Sequence, residues 1–592
     1  MNPEQLVTKW VKEAVKNIYG EGATDNLFQT QATRKEFEGD ITAVIFPLLK
    51  FSKKSPEITG DQIGSYITSN YKEIESYNVV KGFLNIKLTD EYWMDVFNTI
   101  ASTQDYGQLP QSGKSVMVEF SSPNTNKPLH LGHIRNNLLG WSVSNLLKAN
   151  GHKVIKVNLV NDRGIHICKS MLAWQRLSGK ETPQNSGIKG DHLVGKYYVA
   201  FNDMLVKEVE ELISQKVPRE EAEKQAPILK AAQEMLVKWE KGDREVFELW
   251  EKMNSWVYEG FEKTYKRMGV SFDKIYYESQ TYLLGKELVK EGVVKGVFSE
   301  KADGSVWCDL SADGLDEKLL LRADGTSVYM TQDLGTAHQR FSEYNLDEHI
   351  YVVGNEQNYH FQVLKLLLKK LGYEWSNNLY HLSYGMVELP EGRMKSREGT
   401  VVDADDLIEN MVTTARETSL ELGKLDDMPK EEKEQLFEML GLGALKYFII
   451  KVDPKKTMLF DPKESIDFSG NTGPFIQYTH ARIRSILRKA EEQKLQAKIT
   501  DSKINPRERE IIKLLTNFPD KIREGGIDHS PAIIANYAYD LAKEFNQYYH
   551  EVSILKEEDI NIKVQRLILI DTISAVLRKA MGILGIQLPE RM

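Results

Sequence analysis

The residues best suited to handle an anion are two imidazoles spaced one helical turn apart, in His130-Leu131-Gly132-His133. Side chains three positions apart share a helix face, so both rings can present donors to one phosphate. The surroundings fit that chemistry. An apolar run (Val116, Met117, Val118, Phe120) predicts a buried strand. The polar turn Ser121-Ser122-Pro123-Asn124 follows, broken again at Pro128, and then Leu131, Ile134, Leu138, Leu139 and Trp141 return at helical spacing. The histidines thus stand at a helix N-terminus, whose unpaired N–H groups and positive dipole end favour a phosphate. Gly132, lacking Cβ, would let a flat base lie against the backbone. A solvated surface turn could carry the same four residues; the strand, the Pro-Asn turn and the helix favour a nucleotide site.

Further apolar runs also end in polar clusters. Residues 154–160 lead into Asn161-Asp162-Arg163-Gly164, 272–277 into Glu278, 327–330 into Asp333, and 349–354 into Gln357 and His360. The run 381–387 closes the series, and a Gly-flanked basic loop with Arg393, Lys395 and Arg397 lies beyond it. Alternating strands and helices predict right-handed βαβ units in a parallel sheet, with ligands outside the carboxyl ends of its strands. Three Asp-Gly pairs, Asp303-Gly304, Asp313-Gly314 and Asp324-Gly325, mark turns between short β runs. No GxGxxG fingerprint is present, so dinucleotide binding has no support. A near-Walker stretch ending in Gly113-Lys114-Ser115 spaces its glycines by five residues instead of four and precedes its strand, which excludes it. Asp333 reads equally as a helix N-cap or as an acceptor for a cationic ligand, and Tyr329 as core or site.

At 592 residues the chain has length for several domains. Its net charge of −9 argues mildly against nucleic acid, but RNA contacts need only local basic strips. Residues 1–110 read as a small α/β domain, with Val7, Trp10, Val11, Ala14, Val15 and Ile18 forming one helix face. Residues 106–113 read as a linker, 179–267 as a charged helical insertion, and 428 onward as helical to the end. Arg482, Arg484 and Arg488 leave Ile483, Ile486 and Leu487 as a core face; Phe545-Asn546-Gln547-Tyr548-Tyr549 offers rings and amides for unpaired bases, or a core face. Cys168 and Cys308 have no CxxC partner, so neither a zinc site nor a disulfide framework is expected and a reducing cytoplasm is the default. No apolar run approaches the roughly 18 residues of a membrane span, and no signal-peptide pattern opens the chain.

SSPNTNKPLHLGH resembles the adenylate-binding signature of class I aminoacyl-tRNA synthetases, and its SPN-x-x-KP-x-H lead-in resembles the arginyl-tRNA synthetase family in particular. The stretches FEGDITAVIFPLLKFSKKSPE, VVKGFLNIKL, 441–448, 467–484 and the closing LPERM extend that resemblance over nearly the whole chain. It implies a Rossmann-like parallel-sheet α/β catalytic domain at 111–390, interrupted by the insertion at about 179–267, behind a tRNA-contacting α/β domain at 1–110. A signature-loop and stem-contact region at 391–465 and an all-α anticodon-binding bundle at 466–592 would follow. The implied reaction joins L-arginine to tRNA(Arg) through an arginyl-adenylate formed from Mg-ATP. It implies catalytic roles for His130, His133, Lys127, Lys395 and Arg397, and ATP contacts at Pro123, Gly132, Met386 and Val387. Arginine would meet Asn124, Glu119, Glu278, Tyr329, Asp333 and Gln357; tRNA would meet Arg482, Arg484, Asn546, Tyr548 and Tyr549. The second class I signature is degenerate here, with Lys127 standing where this family often places the compensating lysine. The expected protein is a cytoplasmic monomer with no structural metal, DNA or membrane partner. Two rivals share the histidine site: a nucleotidyltransferase that binds no tRNA, disfavoured by the large helical C-terminal region, and a retired synthetase paralogue, disfavoured by retention of His130, His133 and Lys127.

Overall fold

The structure is a computed structural model, describing residues 2–20, 24–34, 36–388, 402–421, 425, 428–492 and 504–592. At its centre lies a five-stranded parallel sheet in the order Leu379–Tyr384, Glu348–Gly354, Ser115–Glu119, Lys153–Val160, Lys274–Tyr277. The first strand in sequence lies in the middle, and its neighbours Glu348–Gly354 and Lys153–Val160 pair with it in parallel. Chain direction across the sheet therefore reverses at Ser115–Glu119, and the crevice above that switch point is where such sheets bind ligands. Val116, Met117 and Val118 are all buried, as a strand covered on both faces requires.

The signature helix Leu131–Ala149 crosses from the first strand to the second. Gly140 on this helix lets the Phe120 ring approach, since a Cβ there would come within 2.1 Å of it. The helices Gly190–Ser214, Pro227–Glu240 and Arg244–Met268 occupy most of 179–267. A small antiparallel sheet, Lys318–Leu321, Val306–Cys308 and Ser299–Glu300, carries the Asp-Gly turns, with Gly304 and Gly325 at φ +86° and +77°. The run at 327–330 is not a strand: helix Tyr329–Glu343 begins there, after a single bridge between Leu321 and Ser327. Local apolar content could not separate these outcomes.

The first hundred residues form a four-stranded antiparallel sheet backed by helices Pro3–Tyr19 and Pro56–Asn70. The stretch after it is no loose linker. Tyr106 donates from its hydroxyl to the Leu515 carbonyl, and Gly107, at φ +94°, packs so closely that a Cβ would meet the Phe518 ring at 2.4 Å. The C-terminal region is helical, as its periodicity indicated, apart from one short strand. Met458–Leu459 pairs in parallel with Val387–Glu388 beside the central sheet. No helix among the described residues is long and apolar enough to cross a membrane.

Candidate active site

His130 is the N-cap of the signature helix, and the two imidazoles cap it reciprocally. Gly132 N–H donates to His130 Nδ1 and His130 N–H donates to His133 Nδ1, each at 3.1 Å. With both Nδ1 atoms held as acceptors, each ring carries its proton on Nε2. The rings lie 3.9 Å apart, centroid to centroid. Burial, then the nearby Lys127 charge, pulls the His130 pKa down to about 4; burial, His130 and Lys127 hold His133 well below its ordinary value. The pair is therefore neutral near pH 7, each ring offering one N–H. This amends the expectation of a bare helix terminus. The Gly132 N–H is taken by His130, and the Leu131 N–H donates to the Val402 carbonyl, so Nε2–H groups replace backbone donors. A Cβ on Gly132 would also press on the His130 ring at 3.0 Å.

Burial lowers the Lys127 pKa, and this lysine lines a cavity of about 420 Å³ with Asn124, His130, His192 and Lys196. Pro123 and Asn124 are locked to the next strand's end: Asn161 N–H donates to the Pro123 carbonyl, and Thr125 N–H to that of Asn161. Met386 and Val387 follow the last strand, the Met386 carbonyl accepting from Met458 N–H at 3.0 Å. Lys395 and Arg397 lie outside the described residues.

Three carboxylates, Asp162, Glu278 and Asp333, lie close enough to repel one another. Glu278 opens a short helix directly after Lys274–Tyr277. Burial pushes its pKa up to about 7; Arg163 pulls the other way, and Asp162 and Asp333 add repulsion. Asp333 is no N-cap, since the helix begins four residues earlier with Val328 as cap. Its carboxylate instead lies 2.5 Å from His360 Nε2. Tyr329, at the first position of that helix, is 77% exposed and lines a cavity of about 520 Å³ with Glu278 and Arg163. Gln357 caps helix Asn358–Lys370, at the carboxyl end of the strand next to the signature strand.

Glu119 departs from its expected place. Its carboxylate is 6% exposed and already pairs with the Arg340 guanidinium, with His349 Nε2 at 3.6 Å. Burial raises its pKa, but Arg340 and His349 outweigh that and hold it low. Its geometry is that of a strut under the site. Tyr548 is likewise core: it is fully buried and its hydroxyl donates to Glu508. Arg484 is engaged by Glu590 and Asp571 at 2.8 and 3.2 Å, and Asn546 donates to Thr479 and accepts from Arg482. Tyr549 stays at the surface with the Arg482 guanidinium 5.2 Å over its ring.

Sequence reasoning missed two parts of the site. Asp403 makes a single antiparallel bridge with His130, and Ala404 N–H donates to the Leu129 carbonyl. Arg135, one helical turn beyond Leu131, holds three carbonyls. Neither leaves a local pattern. Asp191, His192 and Asp405 bring ligand atoms within 4.8 Å of one another, as a metal site would. Lys189 Nζ, at 3.0 Å from Asp191 and 2.6 Å from Asp405, takes the cation's place.

Comparison with known proteins decides the family. Residues 95–461 match the family model for tRNA synthetases class I (R), catalytic domain, and 476–592 match the DALR anticodon binding domain. The arginine–tRNA ligase of Bacteroides thetaiotaomicron is 56% identical over 600 aligned positions, covering all of both chains. The chain belongs to the arginyl-tRNA synthetase family of class I. The arginine–tRNA ligase of Flavobacterium psychrophilum, at 54% identity with full coverage of both chains, supports the same assignment. Among solved structures, Thermus thermophilus arginyl-tRNA synthetase shares the fold with TM-score 0.79 at 24% identity, covering both chains entirely. The class I parallel-sheet architecture read from the sequence is borne out.

Proposed function

We infer that this protein ligates L-arginine to tRNA(Arg) through an arginyl-adenylate, releasing pyrophosphate and AMP. One observation carries the reading: two neutral imidazole donors cap the helix that leaves the central strand of a parallel sheet, at its switch point, and Glu278 opens a short helix directly after the edge strand of the same sheet. In the first step the arginine carboxylate attacks the α-phosphorus of ATP in line and pyrophosphate leaves. Such a step needs positioning and charge stabilisation, not a protein nucleophile. His130 and His133 donate from Nε2 to the phosphate oxygens, and Lys127 offsets charge on the departing group. Neutral donors suit this role because they add hydrogen bonds without fixing a competing charge pair in the ground state. Mg²⁺ enters with ATP, held chiefly by its phosphates. In the second step the terminal ribose hydroxyl of tRNA attacks the adenylate carbonyl and AMP leaves.

Arginine selection falls to Asp333 and Glu278, carboxylates able to match a guanidinium, with Tyr329, Gln357 and Asn124 completing the pocket. The exposed Tyr549 ring and the half-buried Arg482 guanidinium over it form the stacking and cationic pair on the bundle where tRNA would bind. Met386 and Val387 form the shelf for the adenine of ATP. The domain divisions at 110, 390 and 465 separate these tasks. The test is ATP–pyrophosphate exchange and aminoacylation with each of the twenty amino acids and citrulline, with purified tRNA(Arg). Dependence on arginine alone is expected; equal exchange with lysine or citrulline would overturn the substrate assignment.

A further inference from the structure

Arg135 is fully buried, yet no carboxylate pairs with it among the described residues. Its guanidinium instead donates to three backbone carbonyls: Nη1 to Met386 at 3.2 Å, and Nη2 to Pro454 at 3.1 Å and Lys456 at 2.7 Å. Burial pulls its pKa down to about 10, with Tyr384 and Asp453 opposing. A charge so placed is expensive unless its geometry is essential, and a rigid planar fork is the group that can join three fixed acceptors. Those acceptors belong to two segments remote in sequence. One is the shelf at Met386–Val387. The other is the turn 453–457, which feeds the strand Met458–Leu459 beside that shelf. A second contact holds the same segments. Gly385 N–H donates to the Pro454 carbonyl, and a Cβ on Gly385 would lie 2.4 Å from Lys456 C and Thr457 N.

We propose that Arg135 is a positioning residue for ATP: it fixes the height of the Met386 shelf relative to the two signature histidines. The guanidinium grows from the same helix that His130 caps, so a single rigid element sets both ends of the nucleotide. The phosphate donors stand at its N-terminus, and the shelf hangs from Arg135 about one turn on. Gly385 keeps the turn 453–457 close enough for the fork to reach. This proposal rests on the assignment of Met386–Val387 to ATP.

The test compares Arg135→Gln, Arg135→Lys, Gly385→Ala and Met386→Gly in arginine-dependent ATP–pyrophosphate exchange, with thermal melts of each. For Arg135→Gln and Gly385→Ala the KM for ATP should rise about 10-fold or more while the KM for arginine stays within 2-fold. Arg135→Lys should recover part of the loss, since an ammonium can reach some of the carbonyls. Combining Arg135→Gln with Gly385→Ala should cost less than the product of the single effects, because both release the same contact. If Arg135→Gln does not fold, Gly385→Ala carries the same KM comparison. Equal rises in both KM values, tracking the loss of Tm, would reduce Arg135 to a packing residue and overturn the proposal. An unchanged ATP KM in Met386→Gly would instead sink the shelf assignment, independently of Arg135.

Discussion

At the scale of single residues, charge state is what the fold adds to the composition. Glu278 and Asp333 are ordinary acids on paper, but burial brings Glu278 up to about 7. Its protonated form cannot pair with a guanidinium, so arginine must meet the ionised form and bind with release of a proton. The sign follows: affinity for arginine should strengthen as pH rises from about 6 to 8, while ATP affinity moves less. Titration calorimetry in buffers of different ionisation enthalpy would measure the released proton; zero release at pH 7 would contradict the placement. Asp333 lends itself to a sharper test. Because it caps no helix, Asp333→Asn should leave stability nearly unchanged. Arginine kcat/KM should drop by roughly 2–5 kcal/mol, the range for removing one member of a buried charged pair. Citrulline, neutral and of similar shape, should lose far less, and His360→Ala should be milder than Asp333→Asn. Undiminished arginine activity in the Asn variant would assign the carboxylate to His360 alone.

At the scale of elements, the signature helix does two jobs with the same side chains. His130 caps it through Nδ1 and, in the proposed role, donates to ATP through Nε2–H. The two can be separated, because asparagine caps as well as any residue but has no second donor at that reach. His130→Asn should therefore keep the helix within about 0.5 kcal/mol of the parent, whereas His130→Ala should lose about 1 kcal/mol of capping. Both should lose activation to a similar extent, roughly 10²–10³-fold for one transition-state donor. Urea melts and single-turnover adenylation would show this; an active Asn variant would mean that the ring serves only as a cap. The helix and its strand were legible because their patterns are local. Strand alternation likewise disclosed the parallel sheet, since the buried strands read as short apolar runs. What local pattern could not disclose was partnership. Tyr548 and Tyr549 are adjacent and chemically alike, yet one is core and the other surface. Glu119 ends a strand as a ligand would, but Arg340 closes over it from a distant helix. Arg135 meets three carbonyls that come from elsewhere in the chain, so its role leaves no local pattern.

At the scale of the whole molecule, the first and last domains touch each other. Asp40 is the point of contact. Its side chain is almost fully buried, accepts from Leu88 N–H and Trp93 Nε1–H, and meets Lys513 Nζ at 2.6 Å and Arg509 at 3.7 Å. Both cations sit on helix Pro506–Thr516 of the C-terminal bundle, while Arg509 also reaches Asp90. This closes an arch from the N-terminal domain to the bundle, and a tRNA engaging both, as the family resemblance implies, would need their spacing fixed. Asp40→Asn retains one acceptor for Leu88 or Trp93 but leaves Arg509 and Lys513 short of a counter-charge. Breaking a buried pair costs about 3–5 kcal/mol, and the partial exposure of the two cations places this case at or below the lower end. A lowered Tm is therefore expected. The functional signature should be selective. The proposed ATP and arginine sites belong to the domain of the central sheet and not to the one that carries Asp40, so their KM values should hold at 25 °C, while the KM for tRNA(Arg) rises several-fold as the two ends lose their fixed spacing. High salt should weaken the parent toward the variant more than it weakens the variant further, since screening acts on the same charges. If ATP and arginine KM values move with that for tRNA, the arch props up the catalytic domain itself; if none moves, the contact serves stability alone.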